Sequence, residues 1–339
     1  MILVTGGTGL VGTHLILHLL HTNERLRAIR RKSSDLERVK RIFSYYSSNP
    51  EELFQKIEWV EAELNDIPSL ESAFKGITQV YHCAALISFD PADFQELQKV
   101  NQAGTTNIVN LSVSNEVKKL CYVSSIATIG KSLNGVMATE ETEWIGEDVN
   151  VYALSKHLAE LEVWRAAQEG VPVVIVNPGV ILGPGFWDSG SGVLFKMGAK
   201  GPSFYPPGGT GFVTVTDVVR IMVHLMDSKV TNERFIAVDK NLKYQEILSK
   251  IAREFGKRSP KRVLKFWQLE ILWRIDYMWS KLSGSGRKLT KKGVQSLRSR
   301  QFYDNSKVVK ALNFDFELME GNIYYTCNRY KEEHPQLFS

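Results

Sequence analysis

The stretch ILVTGGTGLVGTHL, Ile2–Leu15, decides the architecture. ILVT reads as a short buried strand, and the apolar positions from Leu10 onward recur with a helical period. Three glycines, Gly6, Gly9 and Gly12, lie between them. Gly6 permits a tight turn, Gly9 lets the backbone approach a pyrophosphate, and Gly12 allows the helix to pack close on the strand. The helix N-terminus then turns its unpaired N–H groups and positive dipole end toward the phosphates. A lone glycine trio is a weak signal; one that heads a strand–helix alternation is strong. Dinucleotide binding is therefore expected, with Gly6, Thr8, Gly9, Leu10 and Val11 around the diphosphate.

That alternation follows. RLRAIRR (Arg25–Arg31), IEWVEAEL (Ile57–Leu64), QVYHCAAL (Gln79–Leu86) and KKLCYVSSIA (Lys118–Ala127) read as strands, and PVVIVNPGVILGPG (Pro172–Gly185) as a strand running into a glycine-proline loop, separated by helical segments that include a long helix over 94–117 and another over 152–170. Such a pattern implies right-handed crossovers and a doubly wound parallel α/β sheet of the Rossmann type, covered on both faces. After Gly185 the alternation fails and mostly helical sequence follows. Residues 1–178, with 210–238 returning, are expected to form the dinucleotide-binding domain. Residues 179–209 and 239–339 are expected to form a smaller, mostly helical substrate lobe.

The 339 residues carry a net charge of only +5, which makes no case for nucleic acid. Much of the basic excess lies in 257–265 and 287–300, where a solvated basic face is the expectation over a phosphate or lipid patch. Cys83, Cys121 and Cys327 lack metal spacing, and no Cys/His cluster suggests a metal. No apolar run reaches the roughly 18 residues a membrane span needs, and the chain opens directly into a strand, so a cytoplasmic protein without a signal peptide is expected. The aromatic-rich segment Lys265–Leu282 has two readings, an interfacial membrane helix or a helix packed over the pocket or in a dimer. The packed helix is the expectation, because most apolar helical stripes are core.

The end of the second strand bears on the cofactor. An acid there binds a ribose 2′-hydroxyl, whereas a base accommodates a 2′-phosphate. Arg30, Arg31 and Lys32 stand there, with no acid before Asp35, which favours NADP while leaving NAD possible. Glu63 and Leu64 mark the expected adenine edge, and the small Ala84 and Ala85 let the chain pass close to the ribose.

Three Tyr-x-x-x-Lys pairs occur: Tyr152–Lys156, Tyr277–Lys281 and Tyr303–Lys307. Only the first follows the glycine-loop sheet and a serine-bearing strand end, VSSIATIG (Val123–Gly130). Its spacing puts both side chains on one helix face. A tyrosine hydroxyl with a pKa near ~10 would be lowered by the neighbouring ammonium and by a cationic nicotinamide together, and could then exchange a proton with a carbonyl or alcohol.

The motifs TGGTGLVG, HCAALISF, NQAGTTNIVN, VSSIATIG, YALSK and NPGVILGPG, in this order, resemble those of the extended short-chain dehydrogenase/reductase superfamily over most of the chain. The resemblance implies a catalytic set of Ser125, Tyr152 and Lys156, with Ser124 nearer the cofactor, Pro178 and Val180 beside it, and Asn101 matching a family asparagine. Nucleotide-sugar epimerases and dehydratases usually carry an arginine at the place of Asn177, tyrosines at those of Ile129 and Leu182, and, in the dehydratases, acids at those of Ile126 and Ala127. AALISFDP, VNPGVILGPG and FYPPGGTGFVTVTDV look more like dihydroflavonol-reductase-like and 3β-hydroxysteroid-dehydrogenase-like members. The resemblance implies carbonyl/alcohol interconversion on a small, fairly apolar substrate, with an NAD-dependent nucleotide-sugar epimerase as the alternative; a homodimer is expected by the same analogy. Loops leaving the carboxyl ends of strands offer Ser88, Phe89, Ile126, Phe186 and Trp187 as candidate substrate contacts.

Overall fold

The computed structural model describes residues 1–338 except 23–24, 132–135, 148, 284–285 and 288. Its strands, in chain order, are Ile2–Thr5 (β1), Leu26–Arg30 (β2), Ile57–Glu61 (β3), Gln79–His82 (β4), Lys119–Val123 (β5), Val173–Pro178 (β6), Val180–Leu182 (β7), Phe204–Tyr205 (β8), Gly209–Thr214 (β9), Glu233–Ala237 (β10), Lys240–Lys243 (β11) and Arg262–Val263 (β12). Seven of them make one sheet in the order β10-β6-β5-β4-β1-β2-β3. Every neighbouring pair is parallel. This is the doubly wound α/β sheet, with a mostly helical C-terminal region.

Alternation along the strands divides the interior into two cores, because successive side chains point to opposite faces. Val4, Cys121, Val123, Val174 and Val176 face the helices Leu10–Leu20 and Val215–Asp227. Leu3, Leu120, Tyr122, Val173 and Ile175 face Gly104–Ser114 and Val151–Gln168. From β1 the chain builds outward to β2 and β3, then crosses to β4 on the other side. The order reverses between β1 and β4, and a crevice opens beyond their carboxyl ends.

The sequence does not show where the last strand of the first half ends. β6 ends at Pro178, and β7 leaves for a three-stranded sheet ordered β11-β9-β7. Gly179 marks the break: a Cβ there would lie 2.5 Å from the Gly211 carbonyl oxygen, so the two backbones cross where only glycine fits. The helix read over 94–117 is continuous but changes gauge, from Phe94–Leu97 through a π turn at Gln98–Ala103 into Gly104–Ser114.

The segment read as a packed aromatic helix departs from expectation. It forms the helix Phe266–Ser283, but Leu269 is its one buried residue. Cys121 and Cys327 are buried and Cys83 is partly buried, all three as free thiols. Among the described residues, no helix is long and apolar enough to cross a membrane, and no group of His, Cys, Asp or Glu could hold a metal.

Candidate active site

The glycine loop is built as its spacing requires. Gly6 adopts φ +67°, and a Cβ there would lie 2.6 Å from the Ala84 nitrogen, so the turns after β1 and β4 touch. A Cβ on Gly12 would lie 2.1 Å from the Gly6 carbonyl oxygen. That oxygen accepts the Gly9 N–H at 2.9 Å. The helix Leu10–Leu20 begins on Gly9 without a side-chain cap and without an acid in its first turn. Its positive end is thus left for an anion, and the loop forms a cradle that side chains would fill.

The expected cofactor positions lie at or just beyond the carboxyl ends of the strands of the main sheet. The Thr8 hydroxyl reaches Ser34 at 3.4 Å, tying the loop to the turn after β2. Arg30 pairs with Glu61 at 3.2 Å, yet its buried Nε has no hydrogen-bond partner among the described residues. Arg31 and Lys32 are exposed. The Leu64 carbonyl accepts the Asn107 amide at 2.8 Å, fixing the chain after β3, and Glu63 is exposed beside it. Ala84 is half-buried and Ala85 exposed; the Ala84 N–H donates to the Thr5 hydroxyl at 3.3 Å. Pro178 is buried at the end of β6, whereas Val180 packs at the border of the C-terminal core.

Ser125, Tyr152 and Lys156 meet at the carboxyl end of β5. Ser125 caps a single turn, its hydroxyl accepting the Ala127 N–H at 3.1 Å. Asn150 caps the helix carrying Tyr152 and Lys156 by accepting the Ala153 N–H at 2.8 Å. The Ser125 hydroxyl lies within electrostatic reach of the Tyr152 phenol and favours its ionised form. Burial nevertheless pushes the tyrosine up to about 12, with Ser125 opposing the shift.

In the protein alone the tyrosine is thus raised rather than lowered. Lys156 is 1% exposed and directs its ammonium elsewhere, to the Tyr122 hydroxyl at 2.5 Å and the Val123 carbonyl at 2.9 Å. Desolvation lowers the lysine itself to about 7, with Glu160 and Cys83 pulling it back. Loss of solvent dominates at Tyr152, so the phenol form is the stable one.

Three supporting residues extend this set. Asn101, in the π turn, donates to the Ser155 hydroxyl at 2.9 Å and the Leu86 carbonyl at 3.0 Å, and accepts the Leu86 N–H at 2.7 Å. It thereby joins the loop after β4 to the catalytic helix. His82 is fully buried between Thr5 and Thr105, stacks on Tyr122, and is held near 3 by desolvation, hence neutral. Glu160, 3% exposed, accepts from Ser124 at 2.5 Å, Thr128 at 2.7 Å and Asn177 at 3.0 Å, and pairs with Arg234 at 3.1 Å. The Ser124 hydroxyl is thus turned into the protein. Sequence reasoning missed Tyr122 and Glu160. The spacing Tyr152, Lys156, Glu160 was the available signal for the latter, since steps of four keep one helix face.

The candidate substrate contacts divide. Phe89 is 48% exposed and sets its ring edge-on to Tyr152, centroids 5.5 Å apart. Ile126 lies in the Ser125 turn, 8% exposed. Ser88 is committed to Asp93, to which it donates at 2.6 Å. The Phe186 ring lies under the Arg38 guanidinium, 5.3 Å away. Trp187 is 7% exposed and packs with Phe195 and Tyr330 in the C-terminal core.

Comparison with known proteins agrees with this geometry. The model of the NAD dependent epimerase/dehydratase family matches residues 2–237. A candidate dihydroflavonol 4-reductase of Synechocystis sp. is 30% identical over 322 residues, 91% of this chain and 88% of that protein. Sterol demethylase protein B of Methylococcus capsulatus is 29% identical over 264 residues, 76% of each chain. The crystal structure of gox2253 superposes with a TM-score of 0.81 at 25% identity, covering 98% of both chains. The glycine cradle, the parallel sheet and the family match together place this chain in the NAD-dependent epimerase/dehydratase family of extended short-chain dehydrogenases/reductases.

Proposed function

We propose that this enzyme interconverts a carbonyl and an alcohol on a small, fairly apolar substrate, with NADP preferred to NAD. The observation that carries the reading is the Ser125–Tyr152 pair beside the glycine cradle, with the tyrosine kept as a phenol. A bound nicotinamide dinucleotide would supply or accept the hydride. The N–H groups at the start of the Leu10–Leu20 helix would hold its diphosphate, and Lys156 its nicotinamide ribose. Ser125 orients the substrate oxygen. In the reducing direction the Tyr152 O–H bond breaks and its proton goes to that oxygen, as the carbonyl carbon gains its new hydrogen. The phenolate left behind accepts from Ser125 and lies one turn from Lys156.

Phe89 and Ile126 give this site an apolar wall, and relatives named as a reductase and a sterol-demethylating protein are consistent with an apolar substrate. Arg31 and Lys32 support a 2′-phosphate, although Glu61 occupies part of Arg30. The alternative of a nucleotide-sugar epimerase is weakened at Asn177. Its amide is committed to Glu160, Thr128 and the Ser125 carbonyl, and no arginine takes its place. In this reading the C-terminal region with 179–209 is the substrate lobe. The test is NADPH and NADH consumption against a panel of apolar ketones. NADPH turnover is expected, falling about 10²–10⁴-fold in Tyr152→Phe with dinucleotide affinity held within about twofold. NAD that survives gel filtration, with no turnover on any ketone, would sink the proposal.

A further inference from the structure

The helix Phe266–Ser283 presents its apolar side to solvent. Trp267, Ile271, Ile275, Met278 and Leu282 are 58, 47, 57, 64 and 82% exposed. Their steps of four, four, three and four residues place them in one stripe. Trp279, 67% exposed, widens it. Leu269, on the opposite side, is 1% exposed and anchors the helix to the protein. A continuous stripe of this length on a solvent-facing helix marks an interaction site.

Charge identifies what covers it. Residues 257–300 contain thirteen Lys and Arg against two acids, a net +11, whereas the whole chain is +5 and the remainder therefore −6. Lys261, Lys265, Lys281 and Lys291 are exposed around the helix. A second copy laid on the stripe would bring two such basic regions together and be repelled. An anionic surface would be attracted, and two exposed tryptophans suit the boundary between headgroups and acyl chains.

We propose that this helix docks on an anionic phospholipid membrane, lying in the interface plane with the Trp267–Leu282 stripe at the acyl boundary. The docked surface adjoins the candidate reaction centre. Beyond the helix, the Arg287 N–H donates to Asp90 at 2.9 Å, and the neighbouring Phe89 ring meets Tyr152. Ile87 and Phe89, on the same loop, are 57 and 48% exposed. The basic stretch that the sequence alone leaves as a solvated face thus becomes the electrostatic part of a docking surface.

Flotation of the full chain with phosphatidylcholine vesicles, with or without about 30% phosphatidylglycerol, tests this. Wild type is expected to float with the anionic vesicles at about 50 mM salt, at least about tenfold less with the neutral ones, and to be released at about 500 mM. The double variant Ile275→Asp/Met278→Asp should lose at least about tenfold of this binding, with unchanged melting and dinucleotide affinity. Lys265→Glu/Lys281→Glu should weaken it without touching the apolar stripe. In the wild type, brominated lipid should quench tryptophan emission, a readout independent of any variant. Absence of flotation with anionic vesicles, or equal flotation by the apolar double variant, overturns the proposal. So does a wild-type dimer that the double variant converts to monomer without any vesicle binding, which would assign the stripe to self-association.

Discussion

Lys156 lies 1% exposed between the Tyr122 hydroxyl and the Val123 carbonyl, and desolvation lowers its pKa from 10.5 to about 7. Between these two values the unfolded chain binds more protons at this site than the folded one. Its contribution to stability therefore rises with pH across about 7 to 10.5, and the penalty is full below about 7. Lys156→Met removes the charge at similar volume. The variant should melt higher than wild type at pH 6, by a margin that narrows at pH 9, while turnover falls at least about 10²-fold. Thermal unfolding at the two pH values measures the margin; an equal gap at both would refute the assignment. The pairing of Tyr152 with Lys156 was legible in the sequence, because four residues return to one helix face. The direction of the tyrosine shift was not. It depends on how deeply the fold buries the phenol, which helical spacing does not show.

At the scale of elements, the helix Val151–Gln168 carries Tyr152, Lys156 and Glu160 at successive steps of four. The first lies beside Ser125, the second points to Tyr122 and Val123 at the end of β5, and the third holds the turn that bears Ser125. Glu160 accepts from Ser124 and Thr128, the residues on either side of that turn, and Arg234 on β10 balances its charge. Glu160→Ala would leave Arg234 and three buried donors without their partner, a loss of about 3 kcal/mol in denaturant unfolding. Glu160→Gln keeps one acceptor oxygen and should cost nearer about 1 kcal/mol. In both variants kcat should fall more than dinucleotide affinity, because the serine turn loosens while the glycine cradle stays. If both bind and turn over as wild type does, Glu160 has no positioning role. A glutamate in a helix reads by default as a solvated residue, so its burial was not legible. Six strands of the central sheet were legible in order of appearance, through their Val- and Ile-rich runs, whereas the seventh, β10, and the short strands of the two small sheets were not. The ends of the six were less so. The sequence shows β6 running into a glycine-proline loop but not where it ends, and only the Gly179–Gly211 crossing shows why it stops at Pro178.

Across the whole molecule, the parallel sheet brings together residues far apart in sequence, and one of the contacts that tie the C-terminal region to the loop after β4 is made by a buried carboxylate. Asp90 is 6% exposed. It accepts the Ala92 N–H at 3.1 Å within its own turn and the Arg287 N–H at 2.9 Å from the C-terminal region, and the Arg287 Nε lies 3.7 Å from it. This contact spans 197 residues and could not be read from composition or periodicity, since an Asp before Pro91 signals only a local turn. The carboxylate therefore has two separable duties, capping the turn and holding the two regions together. Asp90→Ala ends both, and should cost about 1–2 kcal/mol. Asp90→Asn retains an oxygen for Ala92 but weakens the charged bond to Arg287. Local opening has a lower free energy than global unfolding wherever few contacts hold a loop. In hydrogen exchange, Asp90→Ala should therefore speed the amides of residues 86–93 and of Arg287, while those of β4, β5 and β6 keep their protection. Asp90→Asn should speed Arg287 more than Ala92. If β4 and β5 loosen together with the loop, Asp90 serves the fold as a whole and is no latch between the regions.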